Sequence, residues 1–184
     1  MVKKPGPTQK SRYLFLLRHA KAAPSGLASA DFERPLTERG LEDAAKMAAL
    51  LVDLGVCPDR VLCSPSVRTR QTLEQIALAI PGLKASYPAE MYLIGWEALL
   101  SQLRKQKDEV RSVLVVGHNP GIEELAMSLA DPNQDGGEDL RRLQTKFPTA
   151  ALAVLKLKGD WKELEISTCR LEAFVRPKDV AATE

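Results

Sequence analysis

No apolar run in this 184-residue chain approaches the ~20 residues that a membrane-crossing helix needs. The start, Met1 to Pro7, is basic but leads into no apolar segment before Ser11, so export is not expected, and the chain reads as a cytoplasmic protein with no membrane partner. An excess of one charge is missing too. Lys and Arg number 26 against 24 Asp and Glu, mixed along the sequence, and a net charge of +2 provides no stripe for nucleic acid. Cysteine is scarce: Cys57, Cys63 and Cys169 lie within or beside apolar segments and fit small buried thiols in a reducing compartment better than a disulfide framework. The stretch from Asp131 to Gly137 lacks the alternating acidic ligands and terminal Glu of a calcium loop, so no metal is assigned to it. Histidine is scarcest of these, with only His19 and His118.

With 45% hydrophobic and 27% charged residues, the chain can bury the core of one domain. Proline and polar residues at both ends set its bounds at 12–175, with tails over 1–11 and 176–184. Tyr13 to Leu17 is uniformly apolar, as a strand covered on both faces is, and Ala22 to Pro35 follows as a long loop. Thr37 caps a helix with Leu41, Ala44, Ala45, Ala48 and Leu51 inward, ended by Gly55 and Pro58. Arg60 to Cys63 is the next strand. Ser64-Pro65 reads as the cap and first-turn proline of a helix whose buried stripe is Leu73, Ile76, Ala77 and Ile80. A short strand over Lys84 to Tyr87, a helix from Trp96 to Gln106 and a strand from Ser112 to Val116 come next. Asn119-Pro120 repeats the cap-plus-proline device and starts a helix through Ala130. Asp131 to Pro148 reads as a surface excursion with one helical turn around Leu140, and strands over Thr149 to Leu157 and Cys169 to Val175 finish the domain. This alternation predicts a three-layer α/β sandwich: a mostly parallel central sheet, helices on both faces and an antiparallel pair near the end.

Both histidines stand where a predicted buried strand runs out, His19 after Tyr13 to Arg18 and His118 after Ser112 to Gly117. Ligands of open α/β sheets bind at the carboxyl ends of strands, so one crevice can hold both rings. Arg18 and Arg68 add guanidinium groups that grip phosphoryl oxygens in pairs, and helix starts favour an anion. An imidazole beside two permanent cations has its protonated form disfavoured, which keeps a nitrogen free to attack phosphorus near neutral pH. His19 is placed to attack and His118 to donate to the equatorial oxygens, although spacing alone does not decide which ring is the nucleophile. A lone histidine beside a strand is more often structural. Here both histidines, two arginines and two Ser/Asn-Pro helix starts fall at equivalent strand ends, a coincidence that packing does not require. A cysteine-dependent phosphatase fails on register: it needs five residues between Cys and Arg, whereas four separate Cys63 from Arg68 and six separate it from Arg70.

Four segments in order carry a resemblance: Leu17-Arg-His-Ala-Lys21, Arg34-Pro-Leu-Thr-Glu-Arg-Gly40, Cys63-Ser-Pro-Ser-Val-Arg-Thr-Arg-Gln-Thr72 and Val116-Gly-His-Asn-Pro-Gly121. Together they resemble the histidine phosphatase superfamily, the phosphoglycerate-mutase-like enzymes, and within it the small SixA-type phosphohistidine phosphatases. The likeness runs through Phe147-Pro-Thr and on to Ala173-Phe-Val-Arg-Pro177. It implies that His19 is the phosphorylated nucleophile and that Arg18, Arg68 and His118 hold the transferring group. It implies no cofactor and no metal, in keeping with a chain that has no spare histidines. Ala20 stands where the wider superfamily has glycine, as the small phosphatase branch commonly shows.

Larger relatives protonate the leaving oxygen with a carboxyl group. The nearest match is Glu90 in Pro88-Ala-Glu-Met-Tyr92, equally readable as an exposed loop carboxylate, and Asp31 and Glu33 are further candidates for substrate contact. A site with little acid help favours a phosphorylated imidazole, whose leaving group has a conjugate-acid pKa of ~6.5, over a serine alkoxide. The resemblance therefore implies a protein phosphohistidine as substrate and inorganic phosphate as product, and an open site also admits small phosphate esters. Two other classes stay open: a non-catalytic phosphoprotein-binding module, and a small-molecule phosphomonoesterase or mutase. No insertion between Gln71 and Ser112 is large enough for the water-excluding lid a mutase needs.

Overall fold

Six short runs rich in Leu, Val and Ala pair into one sheet. The computed structural model describes residues 11–26, 30–134 and 137–180. Apart from Ser11 the expected N-terminal tail lies outside them, as does the end of the chain from 181. In order, the chain forms β1 (Arg12–Arg18), α1 (Glu38–Asp53), β2 (Arg60–Cys63), α2 (Val67–Ala79), β3 (Ala85–Ser86), α3 (Trp96–Arg104), β4 (Ser112–Gly117), α4 (Gly121–Leu129), α5 (Gly137–Thr145), β5 (Leu152–Leu157) and β6 (Cys169–Val175). The strands lie in the order β3-β2-β4-β1-β5-β6. The first four are parallel, β5 runs antiparallel to β1, and β6 antiparallel to β5.

Alternation along the central strands divides the core in two. Leu14 and Leu16 of β1 join Val113 and Val115 of β4 against α3, α4 and α5. Phe15, Leu17, Leu114 and Val116 point the other way, onto α1 and α2. The result is the expected three-layer sandwich, with β1 and β4 covered on both faces, which is why they read as unbroken apolar runs. No helix among the described residues is long and apolar enough to cross a membrane.

Local expectations fail where a side chain is recruited over distance. Thr37 caps α1 as expected, its side chain accepting from the Gly40 amide at 3.1 Å. Leu41 and Ala45, however, face outward, and Gly40 and Met47 take their places inside. Helix α2 begins at Val67, later than Ser64-Pro65 predicts, because Ser64 precedes a proline and its hydroxyl is engaged by His118. Its buried face includes Arg68, Thr69 and Thr72, which turns Ala77 outward. Asn119 caps nothing: its amide donates to Glu123 and to the Phe147 carbonyl, and α4 starts at Gly121. The supposed surface excursion contains the nine-residue α5, which buries Leu143 and accepts the Phe174 amide on Asp139. Residues 176–180 are no free tail, since Arg176 grips Asp179 through two nitrogens at 2.8 Å and Val180 packs on the core. Cys57 is exposed, unlike Cys63 and Cys169.

Gly40 shows how tightly the loop after β1 is seated on α1. A Cβ there would meet the Lys21 carbonyl oxygen at 2.1 Å, and that oxygen also accepts from the Thr37 amide at 2.9 Å. Gly40→Ala must push the Lys21 segment away and is expected to destabilise the fold by about 1–3 kcal/mol. Urea unfolding measures this, and an unchanged midpoint would show that the segment yields freely.

Candidate active site

Pairing between β1 and β4 ends with Arg18 opposite Gly117, so the next residue on each strand is a histidine. The His19 amide still donates to the Gly117 carbonyl at 3.0 Å, and the two ring centroids lie 5.2 Å apart. On the other side of β4 the Ser64 amide donates to Val116 at 2.9 Å, which brings the residue after β2 level with the histidines. The first turn of α2 then contributes Arg68, only 3% exposed. These elements enclose a cavity of ≈ 230 Å³ lined by His19, His118 and Asn119 together with four cations, Arg18, Lys21, Arg34 and Arg68. No carboxylate among the described residues lines it.

Each guanidinium is held by fixed acceptors. Arg18 donates through one terminal nitrogen to the Phe147 carbonyl at 2.8 Å. Arg68 donates to the backbone carbonyl of Asp31 at 2.6 Å and to its carboxylate at 2.9 Å. That carboxylate also receives the Tyr92 hydroxyl and Arg34, both at 2.6 Å, while the Arg34 Nε donates to Ala23. Tyr92, Arg34 and Arg68 together hold the Asp31 carboxyl well below the usual carboxylate range.

A carbonyl can only accept, so the 2.7 Å contact between His19 Nδ1 and the Ala20 oxygen places a proton on Nδ1 and the lone pair on Nε2. His118 Nε2 lies 2.7 Å from the Ser64 hydroxyl, and its Nδ1 is buried without a partner. With Ser64 as donor, that orphan nitrogen carries the ring's proton and has no acceptor among the described residues. Burial pushes His19 down to about 4, reinforced by Arg68, Arg18 and Arg34 and opposed by the bond to Ala20. Burial, then His19 and Arg68, push His118 down to about 3. Both rings are therefore neutral at pH 7.

The model of the histidine phosphatase superfamily (branch 1) matches residues 14–87. Phosphohistidine phosphatase SixA of Escherichia coli is 35% identical over 120 residues, covering 63% of this chain and 73% of that protein. This chain belongs to the histidine phosphatase superfamily. Among solved structures, one from Agrobacterium tumefaciens assigned to SixA shares 38% identity with a TM-score of 0.74, over 90% of this chain and 98% of the other. The protein histidine phosphatase SixA complexed with tungstate shares 27% identity with a TM-score of 0.74, over 92% and 99%.

For a histidine phosphatase, the cavity holds most of the residues singled out in the sequence. Arg18, His19, Arg68 and His118 line it together. Glu90 does not: it is exposed on a short 3₁₀ turn, Ala89–Met91, and is not among the residues lining the cavity. Asp31 joins the site through Arg68, whereas Glu33 is exposed and its carboxylate makes no hydrogen bond or ion pair among the described residues. Four contributors carried no local signal: the Ser64 hydroxyl, the Phe147 carbonyl, Tyr92, and Leu93, which lines the cavity while exposed and at φ 51°. Buried Cys63 donates its thiol to the Ser64 carbonyl, and burial pushes it up to about 12, so it is no nucleophile.

Two outcomes follow from this electrostatic arrangement. Both imidazoles take up protons more readily in the unfolded chain, at ~6.5, than when folded. Their contribution to stability is complete above pH ~6.5 and is lost as pH falls towards 4. Urea midpoints are expected to drop over that window, less steeply in His118→Gln, with neither ring titrating near 6.5 by NMR; ordinary titration of both rings would contradict the burial argument. Asp31→Ala frees Arg68 from its orienting carboxylate and is expected to lower kcat/KM for a phosphate substrate about tenfold with little change in stability. An increase in kcat/KM would instead make Asp31 an obstruction to the phosphoryl group.

Proposed function

We propose that this protein is a phosphohistidine phosphatase, transferring a phosphoryl group from an imidazole of a protein substrate to His19 and then to water. Family membership supports hydrolytic phosphatase activity. The substrate class and the roles of the residues are our reading. One observation carries it: a neutral His19 with Nδ1 tied to Ala20 keeps Nε2 unprotonated in a cavity whose charged lining is entirely cationic. The tungstate complex of the related SixA supports a site for a tetrahedral oxyanion.

His19 Nε2 forms the new N–P bond as the P–N bond of the substrate breaks; the substrate ring, protonated on its other nitrogen, takes the bonding pair and leaves as neutral imidazole, while His19 keeps its Nδ1 proton and becomes a phosphorylated imidazolium. Arg18 and Arg68 bind phosphoryl oxygens, and His118 donates from Nδ1 as charge accumulates. Water then attacks phosphorus, the N–P bonding pair returns to His19 Nε2 to regenerate the neutral ring with its Nδ1 proton, and the proton lost by the water passes to the phosphate product or to solvent. A carboxylic acid is missing from the lining, and Asp31, held ionised by its three donors, is a poor proton source. An imidazole leaving group tolerates that shortage far better than an alkoxide does. The chemistry proposed needs no metal ion.

His19→Ala is expected to abolish turnover, and the wild type to yield an acid-labile phosphoenzyme with activity that survives EDTA. In one preparation kcat/KM for a phosphohistidine protein should exceed that for sugar phosphates by about a hundredfold or more. Full activity in His19→Ala would sink the mechanism. Phosphoprotein binding without release of any phosphate would make the protein a recognition module.

A further inference from the structure

A second, larger cleft of ≈ 770 Å³ opens between α1 and α5 above the Arg176–Asp179 turn. Neither histidine lines it, but Thr149 lines both this cleft and the catalytic cavity. The wall between the two is one short piece of chain: Lys146, Pro148 and Thr149 face the cleft, while the Phe147 carbonyl between them holds Arg18. Whatever lies in the cleft is therefore one residue away from the phosphate-binding arginine.

The charges lining the cleft are unbalanced. Seven basic and three acidic side chains line it. The basic ones are not all neutralised: Arg142 pairs with Glu138 and Asp139, Arg176 with Asp179 and Arg39 with Asp43, but Lys46, Arg141, Lys146 and Lys178 have no ion-pair partner among the described residues. Four unpaired cations spread over two helices and a turn outnumber the two unpaired carboxylates of the lining, Glu38 and Glu42, and form a track of net positive charge beside the cationic cavity, with Thr149 common to both. Such a track attracts and orients a chain of negative charges and rejects a basic one.

We propose that this cleft is the docking groove for an acidic segment of the phosphorylated protein whose phosphoryl group enters the cavity. It rests on the phosphoprotein reading above and adds to it the chemistry of the partner. Binding energy supplied here is independent of the reacting bond, so it acts on protein substrates and not on small esters.

The test is the full-length quadruple variant Lys46→Gln, Arg141→Gln, Lys146→Gln, Lys178→Gln. A fluorescein-labelled decapeptide rich in Glu is the binding probe, read by anisotropy, with a Lys-rich peptide as control. The acidic peptide should bind the wild type, more weakly as salt rises, and bind the variant about tenfold more weakly. Turnover of an aryl phosphate should be the same in both proteins, and kcat/KM for a phosphohistidine protein should fall with peptide affinity. Equal peptide binding by variant and wild type, or none by the wild type, overturns the proposal. A wild type that binds the peptide through these residues yet never dephosphorylates the phosphohistidine protein overturns the substrate reading alone and leaves the groove assigned.

Discussion

Parallel register between β1 and β4 is the constraint from which the site follows. Both strands are central and covered on two faces, so a slip of one residue would send each apolar set into the wrong layer. The cores fix the register, and the register fixes which two residues emerge side by side past Arg18 and Gly117. The geometry between the rings is thus inherited from buried leucines and valines some distance below them. Beyond the strands the ladder continues through the His19 and Ser64 amides, so the sheet sets the backbone position of both.

Placing four cations around two imidazoles is tolerable because acceptors are built in around them. The Phe147 carbonyl and the carboxylate and carbonyl of Asp31 hold the guanidinium groups, leaving the rings to meet the field by staying neutral. The same field that keeps a proton off an imidazole favours an anionic group beside it, so on the proposed mechanism attraction for the substrate and availability of the nitrogen have one electrostatic origin. A carboxyl group inside this cavity would weaken both. The acidic groups accordingly sit outside its lining, at Asp31 and Glu123, acting through Arg68 and Asn119.

What could be read in the sequence was whatever depends on short-range pattern. Unbroken apolar runs gave β1 and β4, and the strand ends gave the two histidines with Arg18 and Arg68; the family likeness added the roles expected of them. Polar residues with two possible employers were misread. Ser64 and Asn119 look like helix caps next to proline, and each is taken by a partner far along the chain, His118 in one case and Phe147 in the other. Gly40 gave no sign of being interior, because its burial comes from the close approach of Lys21 and not from its own apolarity. Helix α5 was obscured by its charge, since Leu143 is its sole buried residue. Tyr92 entered the site only once Asp31 was placed beside it, a contact across 61 positions.

Cys63 lies at the end of the strand that delivers Ser64, yet it contributes no reactive group. Sealed in the core and kept protonated, its sulfur offers oxidants almost no thiolate to attack. Peroxide silences enzymes that cradle phosphate with a cysteine anion, whereas a nitrogen base set in this sheet has no such weakness. On the mechanism proposed above no step runs through a thiolate, so oxidation of sulfur leaves the proposed nucleophile itself intact.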